Sequence, residues 1–513
     1  MVLISRFALC MILFVSCSDS FQIARGWSER TTAIRSSAVS EETSSTPSSA
    51  RYEALRALLP SRGGGFPVDQ LDSSHGFKNL PVRDRALARN LVATVARRQG
   101  QLDAIIEQCQ KQKSTPSKKK KKPNRTELYM ATVLRLGAAQ ILFMRIPAHA
   151  AVKETVDLLR LSKDYKVSEG QIKFVNAVLR KLTREGEDMI QSTTVLDNVA
   201  PWLVEELNKA WGEERTTTIV EQAMDEKHRY LTVRQKPGCT HEEAQSVIRE
   251  VASHFTDDED ISSAIIPQGS VKIVDPPPGK VSDWPGYKEG EWWLQDISAT
   301  LPAIALYNSL SENGKISVND KKVVDLCSAP GGKTAQLCCY GFDSVTAVEV
   351  SKRRSKRLKD NLGRLRLACE VAVEDGTEWT PEAPIDGVLL DAPCSATGTG
   401  SRRPDILRKE PDFDELYQIQ HALACHSVDN ILNVGGVMVY ATCSLLPQEG
   451  EEQMARLLSR TGTSTKLEVL PFTEEETFSL PGCIVDENGW LRAFPQADNE
   501  LDGFFVGRVR KVA

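Results

Sequence analysis

The chain has 513 residues, of which 41% are hydrophobic and 26% charged, with 32 Gly and 25 Pro. These proportions exclude a collagen-like chain, a wholly disordered chain and a multi-span membrane protein, and the length allows about three domains of ~150 residues. Lys and Arg number 64 against 69 acidic residues, a formal net charge of −5, so any nucleic-acid-binding surface must be a local patch. Twelve cysteines without a C-x-x-C spacing are typical of free thiols in a reducing compartment. We expect no metal site.

Residues 1–50 are predicted to form a targeting leader with no core of its own. An apolar run over residues 7–17 follows Arg6 and has the length of a signal-peptide core, too short to span a bilayer. Residues 18–50 are rich in Ser, Thr and Arg. This succession resembles the bipartite plastid leaders of algae with complex plastids, which predicts a plastid location and no membrane segment in the mature protein. A secretory signal alone is the alternative, although it conflicts with reduced thiols.

Residues 51–192 are predicted to form an all-helical domain. Apolar residues recur there at helical spacing, as Leu134, Ala138 and Ile141 do. Residues 111–122 end in five lysines and are predicted to be a solvated insertion between helices, because like charges repel. The alternatives are added affinity for RNA phosphates and a role in nuclear import.

Two further regions complete the predicted organisation. Residues 193–285 mix a helix over Pro201–Trp211 with short β-like segments such as 230–234, which predicts a small α/β connecting module. In residues 286–513, strands alternate with helical lengths, which predicts a doubly wound, mostly parallel, Rossmann-like sheet with ligands at the carboxyl ends of its strands. The clearest predicted strands cover residues 323–326, 345–350, 385–390 and 434–440.

The sharpest motif is the segment 325–334, which continues from the strand at 323–326 and opens a helix. Its adjacent glycines would let the backbone approach a ligand, and a helix start offers N–H groups to a carboxylate. Glu349 lies 24 residues after Asp325, at the end of the next strand, where an acid binds a ribose diol in dinucleotide-type folds. Because the chain lacks G-x-G-x-x-G and G-x-x-x-x-G-K-[ST], S-adenosylmethionine fits better than NAD or ATP. Asp375 follows a third strand and is a candidate for an adenine contact; a tight turn without a ligand is the alternative.

Two cysteines, Cys394 and Cys443, each follow a predicted strand and precede a serine. Both are expected at the edge of the sheet where the cofactor lies, although two buried structural thiols would give the same pattern. A thiol pair suits a cytosine substrate, because a thiolate that adds to carbon-6 activates carbon-5 towards a methyl sulfonium. A base must then remove the carbon-5 proton. The thiolate needs an electropositive setting, which Lys333 and the sulfonium would supply.

Together these residues resemble the RsmB (Sun, Fmu) type of ribosomal RNA cytosine carbon-5 methyltransferases, within the RsmB/NOP group. The resemblance extends over nearly everything after residue 50 and implies a NusB-like helical RNA-binding domain and a class I methyltransferase domain. The segments that carry it, besides the loops described above, are residues 134–137, 146–151, 176–180, 295–298 and 502–505.

The resemblance also implies roles for individual residues. Cys443 is implied as the nucleophile, and Cys394 as the thiol that assists breakdown of the covalent adduct and product release; spacing alone leaves the reverse order open. Asp391 is implied to contact the target base as well as the cofactor. The implied cofactor-binding residues are Cys327, Ser328, Ala329, Pro330, Gly331, Gly332, Lys333, Glu349, Asp375 and Asp391.

The implied reaction is methyl transfer to carbon-5 of a cytidine in small-subunit ribosomal RNA by a monomeric enzyme. Transfer RNA or messenger RNA as substrate, and a non-catalytic role in ribosome assembly, are the alternatives. Arg402 and Arg403 are predicted to hold the RNA near the thiols, with the target base flipped out if it is stacked. Residues 352–366 form a basic stretch that is either a solvated helix face or a phosphate track.

Three positions depart from the family's usual pattern. Ser328 stands where the family usually has Ala, and Glu349 stands where it usually has Asp. After Cys443, the chain carries Glu449-Gly450-Glu451 in place of the usual Glu-Asn-Glu. Because Gly450 replaces the usual Asn, an amide side chain is lost, and the resemblance does not fix the geometry of this loop.

Overall fold

The computed structural model describes residues 49–59, 66–110, 123–161, 165–257, 261–266, 268–277, 279–496 and 500–513. The chain divides into two compact units, one ending at Ala200 and the other beginning at Pro201. Almost all of the predicted leader, and the whole lysine-rich insertion at 111–122, lie outside the described residues. Among the helices that are described, none combines the length and the apolarity needed to cross a bilayer.

The first unit is helical in its described part, as predicted. Its helices are α1 (Ala50–Leu58), α2 (Pro67–Ser73), α3 (His75–Lys78), α4 (Val82–Gln110), α5 (Arg125–Leu142), α6 (Ala148–Leu161) and α7 (Glu169–Gln191).

Capping and close packing explain how these helices fit together. Asn124 and Glu127 form a capping box that starts α5. Gly137 lets α5 approach its neighbours, because a Cβ at this position would lie 2.7 Å from Leu179 of α7 and 2.9 Å from Thr155 of α6. The apolar faces of α1 and α4–α7 meet in one continuous core, which accounts for the helical periodicity of the sequence.

The second unit contains helices and strands in alternation. Its helices are α8 (Pro201–Trp211), α9 (Glu213–Ala223), α10 (His241–Ala252), α11 (Ile261–Ala264), α12 (Ile297–Leu310), α13 (Gly332–Cys339), α14 (Lys352–Leu365), α15 (Phe413–His426) and α16 (Glu451–Leu458). Its strands are β1 (Arg229–Val233), β2 (Ser270–Ile273), β3 (Trp292–Leu294), β4 (Lys322–Leu326), β5 (Ser344–Val348), β6 (Glu370–Ala372), β7 (Ile385–Asp391), β8 (Leu432–Thr442), β9 (Leu467–Val469), β10 (Cys483–Val485), β11 (Leu491–Ala493) and β12 (Phe504–Lys511).

The strands form two sheets. The small sheet is antiparallel with the order β2-β1-β3, and its core includes Leu231, Val271 and Trp292. The large sheet has the order β10-β11-β12-β8-β7-β4-β5-β6, with β9 paired to β12. Strands β4 to β8 are parallel, as predicted, and β9 to β12 extend the sheet in antiparallel fashion.

Apolar layers cover both faces of the large sheet. Helix α12 packs on one face, where Leu306 belongs to the same core as Val323 and Leu389. Helices α13 and α14 pack on the same face, where Ala335 and Leu358 meet Ala347, whose strand neighbour Asp325 lies two residues from Val323. Helices α15 and α16 cover the other face: a Cβ at Gly376 would lie 3.0 Å from Leu423 and 3.9 Å from Leu326, and a Cβ at Gly507 would lie 3.1 Å from Met454. This is the doubly wound arrangement that the sequence predicts, and it leaves the carboxyl ends of the parallel strands free to build a site.

Candidate active site

The register of the parallel strands places the predicted site residues along one edge. Leu326 lies beside Val348 of β5 and Leu390 of β7, and Leu390 lies beside Tyr440 of β8. The residues that follow these positions therefore come together at the carboxyl edge. They are Cys327 after β4, Glu349 after β5, Asp391 at the end of β7 and Cys443 after β8.

The turn between β4 and α13 has the backbone of a ligand-binding turn. Cys327 and Gly331 adopt positive φ angles of 61° and 103°. A Cβ at residue 331 would lie 2.5 Å from Leu358, so glycine is required there by both conformation and space. Ser328 anchors the turn to the neighbouring strand, since its N–H and its hydroxyl both donate to Val348 O, at 3.2 and 3.1 Å.

Glu349 joins the turn to the next strand end. Its buried carboxylate accepts from the N–H groups of Ala329 (3.3 Å) and Ser351 (2.9 Å). Arg354 lies 3.4 Å from the same carboxylate and donates to Ala329 O at 2.6 Å. The acid predicted to bind a ribose therefore also fixes the shape of the turn.

Two further carboxylates lie near this turn. Asp325 is buried at the end of β4, where Oδ2 accepts from Thr334 Oγ1 at 2.5 Å and Oδ1 has no hydrogen-bond partner among the described residues. Burial, only partly offset by the Thr334 hydrogen bond, raises the pKa of Asp325 to about 7. Asp375 follows β6, and its Oδ1 accepts from the backbone and the hydroxyl of Thr377, at 2.9 and 2.7 Å.

These residues fit a ligand with the chemistry of S-adenosylmethionine. The acceptors on Asp325, Glu349 and Asp375 suit a molecule with ammonium, hydroxyl and amino donors, and the unpartnered Asp325 oxygen is a buried acceptor that such a donor would satisfy. No group of three His, Cys, Asp or Glu side chains arranged to hold a metal ion occurs within the described ranges.

Lys333 and Asp391 form a partly buried ion pair between the turn and the thiols. Lys333 Nζ lies 2.7 Å from Asp391 Oδ2 and 5.2 Å from the ring centroid of Phe504. Burial lowers the pKa of Lys333. The charge and hydrogen bond of Asp391, together with the nearby Cys443, raise this pKa by a larger amount, so the net shift is upward. The raised pKa keeps Lys333 protonated near Cys443.

The two predicted thiols lie side by side. Cys394 Sγ is 3.7 Å from Cys443 Sγ. Cys394 is completely buried, whereas Cys443 is partly exposed. Burial, together with the hydrogen bond and charge of Cys443, raises the pKa of Cys394 well above its usual range. The pair is therefore asymmetric, with one accessible sulfur and one that is held as a neutral thiol.

Comparisons with known proteins agree with this site. The model of the 16S rRNA methyltransferase RsmB/F family matches residues 316–510, and the model of the NusB family matches residues 48–184. "Ribosomal RNA small subunit methyltransferase B" of Proteus mirabilis is 32% identical over 393 residues, which cover 74% of this chain and 85% of the relative. The protein of the same name from Klebsiella pneumoniae (strain ATCC 700721 / MGH 78578) is 33% identical over 439 residues, covering 84% and 90%. The chain belongs to the RsmB/F family of ribosomal RNA methyltransferases.

Membership confirms the resemblance found in the sequence and the predicted class of enzyme, an S-adenosylmethionine-dependent RNA methyltransferase. The fold agrees as well. The crystal structure of PH0851 is similar with a TM-score of 0.61 at 19% identity, covering 91% of this chain and 98% of the other.

The arginines predicted to bind RNA are engaged with carboxylates in this RsmB/F enzyme. Arg402 Nη1 lies 3.2 Å from Asp296, and Arg402 Nη2 bonds to Asp502. Arg403 lies 3.8 Å from Asp405. Because Asp296 and Asp502 are buried, Arg402 compensates their charge and ties distant segments together. A role of either arginine in RNA binding stays a prediction.

Sequence reasoning missed the importance of Glu449. It noted this residue only as part of a departure from the RsmB/F pattern, yet the side chain is fully buried beneath the thiol loops and accepts from Ser395 N at 2.8 Å. The neighbouring Gly450 leaves no room for a side chain, since a Cβ there would lie 2.7 Å from Phe505 and 2.8 Å from Arg492. Glycine at position 450 therefore fits the close packing of Phe505 and Arg492 in this chain.

The thiol loops also make a close backbone contact with the segment that leads into β12. Gly503 N donates to Gly398 O at 2.9 Å, and a Cβ at residue 398 would lie 2.1 Å from Gly503 O. Gly398 N in turn donates to Cys443 O at 2.9 Å. The Asp-Gly-Phe-Phe segment at 502–505 therefore completes the RsmB/F site, which explains its place among the resembling segments.

Proposed function

We propose that this protein transfers a methyl group from S-adenosylmethionine to carbon-5 of a cytidine in small-subunit ribosomal RNA, through a covalent adduct with Cys443. The observation that carries the proposal is the 3.7 Å separation of Cys443 Sγ and Cys394 Sγ at the edge that also carries the cofactor turn. The named relatives from Proteus mirabilis and Klebsiella pneumoniae support the choice of RNA.

The cofactor would be held by the turn at 327–333 with Glu349, Asp375 and Asp391. When bound, S-adenosylmethionine supplies the methyl group as an electrophile. The anchoring of Ala329 N by Glu349 and of Ser328 by Val348 keeps the turn in one conformation before the ligand arrives. Preorganisation of this kind lowers the entropic cost of binding.

Cys443 is the better nucleophile of the two thiols because it is partly exposed, whereas Cys394 is inaccessible. The electron pair of the Cys443 thiolate forms the bond to carbon-6 of the cytosine. Carbon-5 then carries the electron density that forms the bond to the methyl group, whose bond to sulfur breaks and leaves its electron pair on S-adenosylhomocysteine. The partly buried Lys333 cation stabilises the thiolate before this step.

Asp391 has two tasks in this proposal. It orients Lys333 through the 2.7 Å ion pair, and it accepts from the target base, as the resemblance implies. Its carboxylate is partly exposed at the end of β7, so one oxygen can serve the lysine while the other faces the substrate. A single side chain would then align the cation and the base relative to the sulfur.

Cys394 assists the release of the product. A proton must leave carbon-5, after which the electron pair of that C–H bond re-forms the ring double bond and the bond from carbon-6 to Cys443 Sγ breaks. Besides burial, the hydrogen bond and charge of Cys443 raise the pKa of Cys394. Neither contribution acts while Cys443 Sγ is bonded to the base. In the proposal Cys394 then gives its own proton to solvent, its thiolate takes the proton of carbon-5, and Cys443 leaves as a thiolate.

The reaction is tested with purified protein, S-adenosylmethionine carrying a labelled methyl group, and unmodified small-subunit ribosomal RNA. Nucleoside analysis by mass spectrometry is expected to show the label in 5-methylcytidine, and bisulfite sequencing would locate the cytidine. Label in another nucleoside would contradict the chemistry. Label in transfer RNA but not in ribosomal RNA would contradict the substrate.

A further inference from the structure

Each of the two thiols is followed in the chain by a buried serine, and these serines meet. Ser395 follows Cys394, Ser444 follows Cys443, and their hydroxyl oxygens lie 3.2 Å apart. The distance between the sulfurs is therefore fixed in part by a contact between the next residues along each loop. A third group holds the serines in place.

That group is the carboxylate of Glu449, in the 3-10 turn Pro447–Glu449. Glu449 Oε1 accepts from Ser395 N at 2.8 Å and from Gln420 Nε2 at 3.0 Å, and Oε2 accepts from the Ser395 hydroxyl. Gln420 Nε2 also donates to Pro393 O at 2.8 Å. The Cys394 loop is thus held on both sides of the cysteine.

The Cys443 loop is joined to the same network. Ser444 Oγ accepts from Leu446 N at 3.0 Å and contacts Thr397 Oγ1 at 3.2 Å, and Thr397 Oγ1 accepts from Leu445 N at 2.9 Å. Every side chain in this network is buried. A continuous set of hydrogen bonds therefore runs from Glu449 through the Cys394 loop to the Cys443 loop.

We propose that Glu449 is a positioning residue that sets the distance and orientation of Cys394 and Cys443 by clamping the two Cys-Ser loops together. The role rests on the proposed function, in which both sulfurs act on one base. Hydrogen bonds in a buried network of this kind are strengthened by the low local dielectric, and loss of the carboxylate would leave Ser395 N and its hydroxyl without this acceptor.

The choice of a carboxylate supports a clamp rather than a space filler. Burial raises the pKa of Glu449, against the opposing effect of its hydrogen bonds from Ser395, Ser444 and Gln420. The donors that reach it in the described part are all neutral. An apolar side chain would avoid the desolvation penalty, but it could accept none of these hydrogen bonds.

Two substitutions at this position separate geometry from charge. Glu449→Gln can keep both contacts at Oε1 and donate to the Ser395 hydroxyl in place of Oε2, so it is expected to stay within about threefold of the wild-type kcat. Glu449→Ala is expected to lower kcat about 100-fold, the scale of a 1 Å misplacement, with the KM for RNA and the Kd for S-adenosylmethionine little changed.

The position of the sulfurs is read out directly by disulfide closure. Diamide takes two electrons and two protons from a pair of neighbouring thiols, and mass spectrometry of the peptide that links Cys394 to Cys443 gives the rate. Glu449→Ala is expected to slow closure roughly tenfold, and Glu449→Gln is expected to leave it near the wild-type rate. The assay needs no RNA, so it reports on the clamp even if cytosine methylation fails.

Glu476 provides a matched control, because its carboxylate is also largely buried and pairs with Arg508 at another place in the unit. Glu476→Ala is expected to lower stability while leaving kcat and closure unchanged. Closure at the wild-type rate in Glu449→Ala, or equal losses in Glu449→Gln and Glu449→Ala, would overturn the proposal. If Glu449→Ala does not fold, Ser395→Ala carries the same test, since it removes the hydroxyl that contacts both Glu449 and Ser444.

Discussion

The carboxyl edge of the large sheet has two sides that are built alike. On the side that we propose binds the cofactor, called the cofactor side below, Glu349 accepts from backbone N–H groups of two segments. On the thiol side, Glu449 accepts from the backbone and the hydroxyl of Ser395. In both places a fully buried glutamate joins neighbouring loops, so the shape of the site is fixed by carboxylates behind it as well as by the residues that face the ligands.

The two sides differ in what compensates the carboxylate. Glu349 lies 3.4 Å from the Arg354 guanidinium, whereas the described donors to Glu449 are neutral. The charge of Glu449 contributes to the raised pKa of Cys394, although burial is the largest cause. Glu349, whose charge is compensated by Arg354, fixes the turn at 327–333. Glu449, whose described donors are neutral, helps keep the Cys394 thiol protonated.

The largest effect is expected from Cys443→Ala, which removes the reactive sulfur from the thiol side. Methyl transfer should fall at least about 10⁴-fold, since loss of a nucleophile removes the covalent route, while calorimetry should show an unchanged Kd for S-adenosylmethionine. Cys483→Ala is the control, because that thiol is buried in β10. Substantial turnover by Cys443→Ala would exclude the covalent mechanism.

Cys394→Ala is expected to have a smaller and different effect. Turnover should fall by roughly 10²–10³-fold, the usual contribution of acid–base assistance, and a covalent protein–RNA species should accumulate. A denaturing gel would show this species as a band of lower mobility, which should be absent in the double variant that also lacks Cys443. Normal turnover without accumulation would remove Cys394 from the release step.

A change on the cofactor side should leave the thiol side intact. Glu349→Ala removes the acceptor for Ala329 N and the predicted ribose contact, and it should raise the Kd for S-adenosylmethionine about tenfold or more, a loss of ~1.4 kcal/mol. Calorimetry measures the Kd, and closure of the Cys394–Cys443 pair by diamide should keep its wild-type rate. Slower closure would show that the two sides are not independent.

The smallest effect on catalysis is expected at Asp325, where a change should appear in stability instead. The native pKa of about 7 lies above the unfolded value of about 3.9. Between these values the native state holds the extra proton, so the contribution of Asp325 to the free energy of unfolding should fall as pH rises from about 4 to 7, by about 4 kcal/mol for a difference of about 3 pKa units.

Asp325→Asn should remove this slope. Denaturant unfolding at pH 5 and pH 8, without cofactor, would measure the free energy of unfolding of the variant and of the wild type. Glu476→Gln is a suitable control, because it alters a largely buried acid that is already paired with Arg508. An identical pH dependence in Asp325→Asn and the wild type would contradict a raised pKa at Asp325.

Local patterns in the sequence predicted the parallel strands and the residues at their ends. Cys394, Cys443 and Glu349 each follow an apolar strand closely, and strand ends converge by the geometry of a parallel sheet, so their proximity could be inferred without coordinates. The helical unit was predictable for a similar reason, because its apolar periodicity is local.

Contacts between distant segments could not be predicted in this way. Glu449 lies 54 residues from Ser395, and Arg402 lies 106 residues from Asp296. Nothing in the local sequence pattern indicates that Glu449 packs beneath the Cys394 loop. Nor does it indicate that Arg402 compensates the buried carboxylates of Asp296 and Asp502. In both cases the three-dimensional pairing of charges and donors decides the role, and only the fold brings the partners together.

The contact between Gly398 and Gly503 has a consequence for incomplete chains. A protein that ends before residue 503, through premature termination or proteolysis, would keep both cysteines and the entire cofactor turn. It would lose the backbone that donates to Gly398 O, together with the strand that lies beside β8. Such a fragment would retain every reactive group in its primary structure and still be unable to hold the two sulfurs against the same base.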